Sequence, residues 1–285
     1  MEKVNNFSEL VDVNREKASK LWDSFKQKIY YENRFFIEHT LLEMLANYIK
    51  DHTINVPSGH IYYRARIIDE NALKDHQLGV YISSEGIEKA LTKYTQKDNL
   101  FRGLSKQGSF VPLDCSKIRD GRANPKFIRY LYVAEDAVTA LFEVRPLIYD
   151  SVNLAEIVVN SDLTIANMEI DKSYLLNSGG SVLKWLIFNI QDSFSKPTNN
   201  PDDYLVSQVI SEYIKKLGYD GIRFNSSLHR NGINVTIFNY DKCEALSSQK
   251  MKIEQIKLSA RVELHSWGRK GTISRIVDNA IEYIE

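Results

Sequence analysis

From residue 8 to residue 50 the chain runs without a glycine or a proline. In LWDSFKQKIYYENRFFIEHTLLEMLANYIK apolar side chains recur every three or four positions. That spacing places them on one face of a helix and predicts helix over 8–50. The run stops at DHTINVPSGH, whose proline and glycine mark a turn-rich connection. Beyond that turn the chain has a different grain. IYYRARI (61–67) and FIRYLYVA (127–134) read as short strands, and NLAEIVVNSDLTIANM (153–168) holds one or two more. EDAVTALFEV (135–144) reads as a helix with Glu135 and Asp136 in its first turn, where the helix dipole favours anions.

VLKWLIFNIQDSF (182–194) is amphipathic. YLVSQVISEYIKKLG (204–218) is the clearest helix: Leu205, Val209, Ile210 and Ile214 form a stripe, and Gly218 stands at its end as a C-cap. YDGIRFNSSL (219–228) and INVTIFNY (233–240) predict a turn and two more strands, and the chain closes on an alternating piece, IKLSARVEL, and a helix, TISRIVDNAIEYIE. Residues 69–110 read as mixed, with short helical pieces. The order predicts an α+β domain, a mixed sheet core with flanking N- and C-terminal helices. We place a helical N-terminal extension at 1–57, the main domain at 58–245 and a strand/helix extension at 246–285.

Charge is balanced, 37 basic against 37 acidic side chains, so bulk charge points to no nucleic-acid or membrane partner. The start, MEKVNNFSELVDV, is too polar for a signal peptide, and no apolar run reaches the length of a membrane span. The expectation is a cytoplasmic protein. Cys115 and Cys243 are far apart and fit no zinc or thioredoxin spacing, which suits two reduced thiols. No GxGxxG follows a strand, there is no Walker A loop, HExxH or GxSxG, and no two of the six histidines have metal spacing, so no metal is expected. Arg34 and His39 have the spacing found in some helical ribonucleases. Five residues along a helix turn by about 140°, so a helix would not bring them to one face.

Four polar features punctuate segments that otherwise read as core: Arg64 and Arg66 in YYRAR; Gly121, Arg122 and Asn124 ahead of the strand with Tyr132; Glu143 on the helix after it; and Ser226 and Ser227 closing IRFNSS, with Asn234 beyond. Charged side chains are rarely buried unless paired, so this pattern points to a site. In this order YYRAR, GRANP, YLYVAEDAVTALFEV and DGIRFNSSLHRNGINVTIF resemble the RES domain, over about residues 60–242. RES domains are toxins of bacterial toxin–antitoxin pairs and related NAD-consuming enzymes, similar in fold to ADP-ribosyltransferase toxins.

The resemblance implies an NAD-degrading enzyme with NAD as substrate and no separate cofactor, cleaving the nicotinamide–ribose bond. By position Arg64 matches the family arginine, with Arg66 a second candidate, and Glu143 matches the glutamate. Tyr132 matches the strand tyrosine, and the serine falls on Ser226 or Ser227. Many members carry a proline just before that serine, where this chain has Asn225 or Ser226. The resemblance also implies a neutralising antitoxin partner that carries any DNA binding.

The residue types suit the chemistry. A guanidinium holds two phosphate oxygens at once, a task for Arg64 with Arg66 or Arg122. Tyr132 can stack on nicotinamide or close the pocket over it. Asn234 completes the NAD-binding set. Glu143 can hydrogen-bond a ribose hydroxyl and stabilise an oxocarbenium-like ribose. Phosphate, water or a protein side chain can be the acceptor, with phosphate or water preferred on family grounds. Protein ADP-ribosylation and a non-catalytic nucleotide-binding module are the alternatives.

Overall fold

The computed structural model describes residues 2–69, 100–178, 180–196 and 200–256. The expected strand and helix beyond 256, and residues 70–99 of the mixed segment, lie outside them. In chain order the elements are α1 (Glu2–Tyr31), α2 (Thr40–Asp51), β1 (Thr53–Val56), β2 (Ile61–Ile67), a single turn α3 (Lys106–Ser109), β3 (Leu131–Ala134), α4 (Ala137–Glu143), β4 (Ser151–Val159), β5 (Leu163–Asn167), α5 (Lys172–Ser178), α6 (Val182–Ser195), α7 (Tyr204–Lys216), β6 (Gly221–Asn225), β7 (Ile233–Ile237) and β8 (Cys243–Lys252). The architecture is the expected α+β one. The eight strands form one mixed sheet in the order β1-β5-β6-β7-β3-β2-β4-β8, with β5 and β6 its parallel pair and its other pairs antiparallel.

Each face of the sheet buries its own cluster. On one face Phe25 and Ile29 of α1, Leu41, Leu45 and Ile49 of α2, Ile187 and Ile190 of α6, and Ile210 and Ile214 of α7 close over Ile222 and Phe224 of β6. On the other, Tyr62, Leu131, Val133, Ile157, Ile165 and Val235 pack together beneath Val111. Burying one such side chain contributes about 1.5–3 kcal/mol, so α1 and α2 are part of the core they cover. The expected boundaries also fall inside the sheet: β1, assigned to the extension, pairs with β5, and β8 crosses position 245 while pairing with β4.

Local chemistry explains where the elements depart from the periodicity. The predicted helix over 8–50 is two helices. Asn33 Oδ1 accepts hydrogen bonds from the amides of Phe35 (3.0 Å) and Phe36 (3.3 Å), offering the backbone a turn in place of the helix. His39 then caps α2, its Nδ1 accepting from the Leu41 amide at 3.1 Å. Arg34 and His39 therefore lie in a connection, and the His39 ring packs 5.3 Å from that of Phe25. The strand expected over 127–134 begins only at Leu131; ahead of it Phe127 has a left-handed backbone (φ 72°) and the Ile128 amide donates back to the Pro125 carbonyl at 3.1 Å. In α4 Asp136 is the N-cap and Glu135 precedes the helix, paired to Arg223 and His60. Gly218 has φ 93°, as a helix-ending glycine should. Among the described residues no helix is long and apolar enough to cross a membrane.

Candidate active site

β2 and β3 meet at one residue pair, Tyr63 with Ala134. Continuing that antiparallel register would set Arg64 opposite Val133 and Ala65 opposite Tyr132, yet these do not pair. A cavity of about 340 Å³ occupies the fork. Its wall takes Tyr63, Arg64 and Ala65 from β2, Tyr132 from β3, Glu143 from α4, and Asn234 and Thr236 from β7. Gly121, Arg122, Phe194 and Tyr204 complete the rim. Residues more than a hundred positions apart in the chain thus meet at one opening.

Glu143 is the hub. Its Oε1 accepts from the Ser226 hydroxyl at 2.6 Å and from Asn234 Nδ2 at 2.7 Å. The second oxygen, Oε2, has no hydrogen bond from the described residues. Ser226 in turn accepts from the amides of Leu228 and His229, both at 3.1 Å, so its one proton is directed to the carboxylate. Ser227 does a different job: its hydroxyl donates to the Ser195 carbonyl at 2.6 Å, tying the loop to α6. Of the two serines, Ser226 is the one in contact with Glu143.

The arginines also separate. Arg64 spends NH1 on the carbonyls of Ser109 (3.3 Å) and Phe110 (3.2 Å), and among the described residues no carboxylate pairs with it. Burial, with Arg66 beside it, pushes the Arg64 guanidinium down to about 9, so it stays cationic at neutral pH. Arg66 donates NH1 to Gly108 and NH2 to Phe110, both at 2.8 Å, and is not on the cavity wall. Alternation along β2 places Arg64 and Arg66 on the Tyr62 face; only Arg64 reaches the fork. Arg66, expected among the NAD ligands, braces residues 108–110 in this structure.

Arg122 lies in a loop held very tightly. The Tyr132 hydroxyl accepts from the amides of Ala123 (3.0 Å) and Asn124 (3.2 Å) and donates to Asn124 Oδ1 (2.7 Å). Burial pushes the Tyr132 hydroxyl up to about 12. A Cβ on Gly121 would stand 2.4 Å from Asn124 Oδ1 and 2.8 Å from the Tyr132 hydroxyl, so only glycine lets the loop close. From α7, Gln208 Nε2 donates to the carbonyls of Gly121 (2.9 Å) and Asn124 (3.1 Å), and the Ser207 hydroxyl donates to that of Arg122. The Arg122 side chain extends from this clamp to the Phe194 carbonyl at 3.1 Å. Tyr132 thus lines the cavity with its ring while its hydroxyl holds the arginine loop.

Sequence reasoning missed Tyr63, Phe194, Tyr204 and Thr236 on the wall, and Ser207 and Gln208 behind it. The only hint was polar residues inside the apolar helix YLVSQVISEY. No group of three or more His, Cys, Asp or Glu among the described residues could hold a metal.

A family model described as the RES domain matches residues 101–259, more than half of the chain. No curated protein matches. A chain from the crystal structure of the M. tuberculosis MbcT–MbcA toxin–antitoxin complex shares 13% identity with this one. It covers 74% of this chain and 94% of its own at a TM-score of 0.39, a likeness too loose to argue from. The matched segment contains the Tyr132 clamp and the Glu143–Ser226–Asn234 cluster, and the chain belongs to the RES domain family.

Proposed function

We propose that this protein degrades NAD by cleaving the bond between nicotinamide and ribose in the cavity at the β2–β3 fork, as a toxin or defence effector. The observation that carries the reading is the state of Glu143: one carboxylate oxygen is fixed by Ser226 and Asn234, on a wall that also presents Arg64 and Arg122. A preorganised carboxylate on the same wall as two guanidiniums that have no carboxylate partner among the described residues suits a substrate that is anionic at its pyrophosphate and becomes cationic at its ribose. Pockets for small ligands start at about 300 Å³, so the cavity has room for the nicotinamide riboside end, with the adenosine half outside.

In this reading Arg64 and Arg122 hold the pyrophosphate. Glu143 Oε2 accepts a hydrogen bond from a ribose hydroxyl. As the C1′–N bond lengthens, nicotinamide leaves with the bonding pair and positive charge spreads over C1′ and the ring oxygen. The carboxylate attracts that charge more strongly than it does the neutral ribose, which lowers the barrier. An oxygen of phosphate or water then bonds to C1′, the water losing a proton to solvent. Phosphate or water as acceptor is the preference that family resemblance supports, as is a neutralising antitoxin partner.

The test is to incubate the purified protein with NAD, with and without phosphate, and identify products by mass spectrometry beside Glu143→Gln. A glutamine carbonyl can still accept from Ser226 and Asn234, so the variant should fold normally and lose about a hundredfold or more in kcat. ADP-ribose phosphate formed only with phosphate means phosphorolysis, and ADP-ribose in both means hydrolysis. A labelled macromolecule in place of either means protein ADP-ribosylation. Near-native turnover by the variant would refute the role of Glu143.

A further inference from the structure

We propose that His229 is a positioning residue for Glu143, acting through Thr139 and Ser226, an assignment that rests on the role given above to Glu143. Glu143 is the last residue of α4, at the end where the helix dipole opposes a carboxylate. The chain then turns away through Arg145, whose backbone is left-handed (φ 47°). The carboxylate therefore depends on partners brought by the β6–β7 connection and β7.

That connection is stitched to α4 at two points. Thr139 and Glu143 are four residues apart and share a helix face. Glu143 takes the Ser226 hydroxyl, and one turn earlier Thr139 Oγ1 lies 2.7 Å from His229 Nδ1. The proton order comes from donor counting. Thr139 has one hydroxyl proton and Asp136 Oδ2 lies 2.6 Å away. Burial works to raise the Asp136 pKa, but the hydroxyl and amide of Thr139, with His229 nearby, bring it below its ordinary value. An ionised carboxylate only accepts, so the Thr139 proton goes to Asp136 and Thr139 Oγ1 accepts from His229 Nδ1–H.

The same histidine serves Ser226 from its backbone, its amide donating to the serine hydroxyl at 3.1 Å. Its ring stacks on Phe142, 5.2 Å away and within 3° of parallel. Gly232 permits the approach: a Cβ there would stand 2.6 Å from Thr139 Oγ1 and 2.9 Å from His229 Nδ1. The ring therefore fixes the loop on α4, the loop's amides fix the Ser226 oxygen, and the Ser226 proton fixes Glu143. His229 is not on the cavity wall, which makes its role one of position and not of contact with substrate.

The experiment compares kcat and KM for NAD in the native chain, His229→Ala, His229→Asn, Glu143→Gln and the double variant His229→Ala/Glu143→Gln. Loss of the ring should lower kcat on the order of tenfold to a hundredfold and leave KM within about twofold, since misplacing a reacting group costs rate more than binding. Asparagine can donate to Thr139 from nearly the same place and should restore most of the rate. In the Glu143→Gln background His229→Ala should cost no more than about twofold further, because both changes act on one carboxylate. A kcat within twofold in His229→Ala, no rescue by asparagine, or losses that multiply in the double variant would each overturn the proposal.

Crystal structures of the native protein and His229→Asn and His229→Ala keep the test independent of activity. The Ser226 hydroxyl should remain on Glu143 in the first variant and leave hydrogen-bond reach in the second. An unchanged contact in His229→Ala would overturn the positioning role even if the native protein proves not to consume NAD, which would separately refute the proposed reaction. If His229→Ala does not fold, the asparagine variant decides: the contact and the rate are kept, or the proposal fails.

Discussion

Replacing Tyr132 with phenylalanine separates two roles that the sequence could not distinguish. If the tyrosine served only to stack on nicotinamide, phenylalanine would do as well. The structure gives the hydroxyl three hydrogen bonds, two from amides and one to Asn124 Oδ1, in a loop where Ala123 is 0% and Asn124 4% exposed. Phenylalanine strands all three groups. At about 1–3 kcal/mol for each buried unpaired group the upper bound is about 3–9 kcal/mol. Water entering from the adjoining cavity satisfies part of this, so the expected loss is about 3 kcal/mol, in the range of strongly destabilising single substitutions.

Urea unfolding followed by circular dichroism measures it. With an m-value of about 3 kcal/mol/M the midpoint should fall by about 1 M. KM for NAD should rise as well, because the same loop aims Arg122. A Tyr132→Phe protein within about 0.5 kcal/mol of native stability, the range of ordinary surface substitutions, would refute the clamp.

The geometry sets three further outcomes. Arg64→Lys should raise KM for NAD about tenfold with kcat changed less, because an ammonium cannot hold two phosphate oxygens in parallel; an unchanged KM would remove Arg64 from the phosphate site. Tyr132 holds its proton to about 12 where an unfolded tyrosine loses it from about 10, so its contribution is complete below pH 10 and is lost as pH rises to 12. Burial raises Tyr130 in the same direction. The urea midpoint should therefore drop between pH 10 and pH 11, and a flat profile there would contradict the burial. Burial likewise pushes the Cys243 thiol up to about 12 while Cys115 is exposed, so a thiol reagent at pH 8 should label one cysteine in the native protein and both after unfolding. Two rapidly labelled thiols would refute it.

The chain itself determined the elements whose causes are local. Apolar spacing and Gly218 defined α7, alternation defined β2, and the order of arginine, tyrosine, glutamate and serine marked the residue types of the candidate site. The break at residues 32–39 was equally local in cause but hidden, since an Asn33 turn competes with a helix that periodicity alone would continue. Tertiary structure decided the rest. Ser226 and Ser227 are adjacent and chemically identical, and only the partner of each, Glu143 for one and the Ser195 carbonyl for the other, tells them apart. Arg64 and Arg66 share a strand face, and only the parting of β2 from β3 gives one of them the cavity. Ser226 and Asn234 reach Glu143 across 83 and 91 residues of chain. A hydrogen bond acts over about 3 Å of space whatever the separation in sequence, so residue types were legible in the chain and their roles came with the fold.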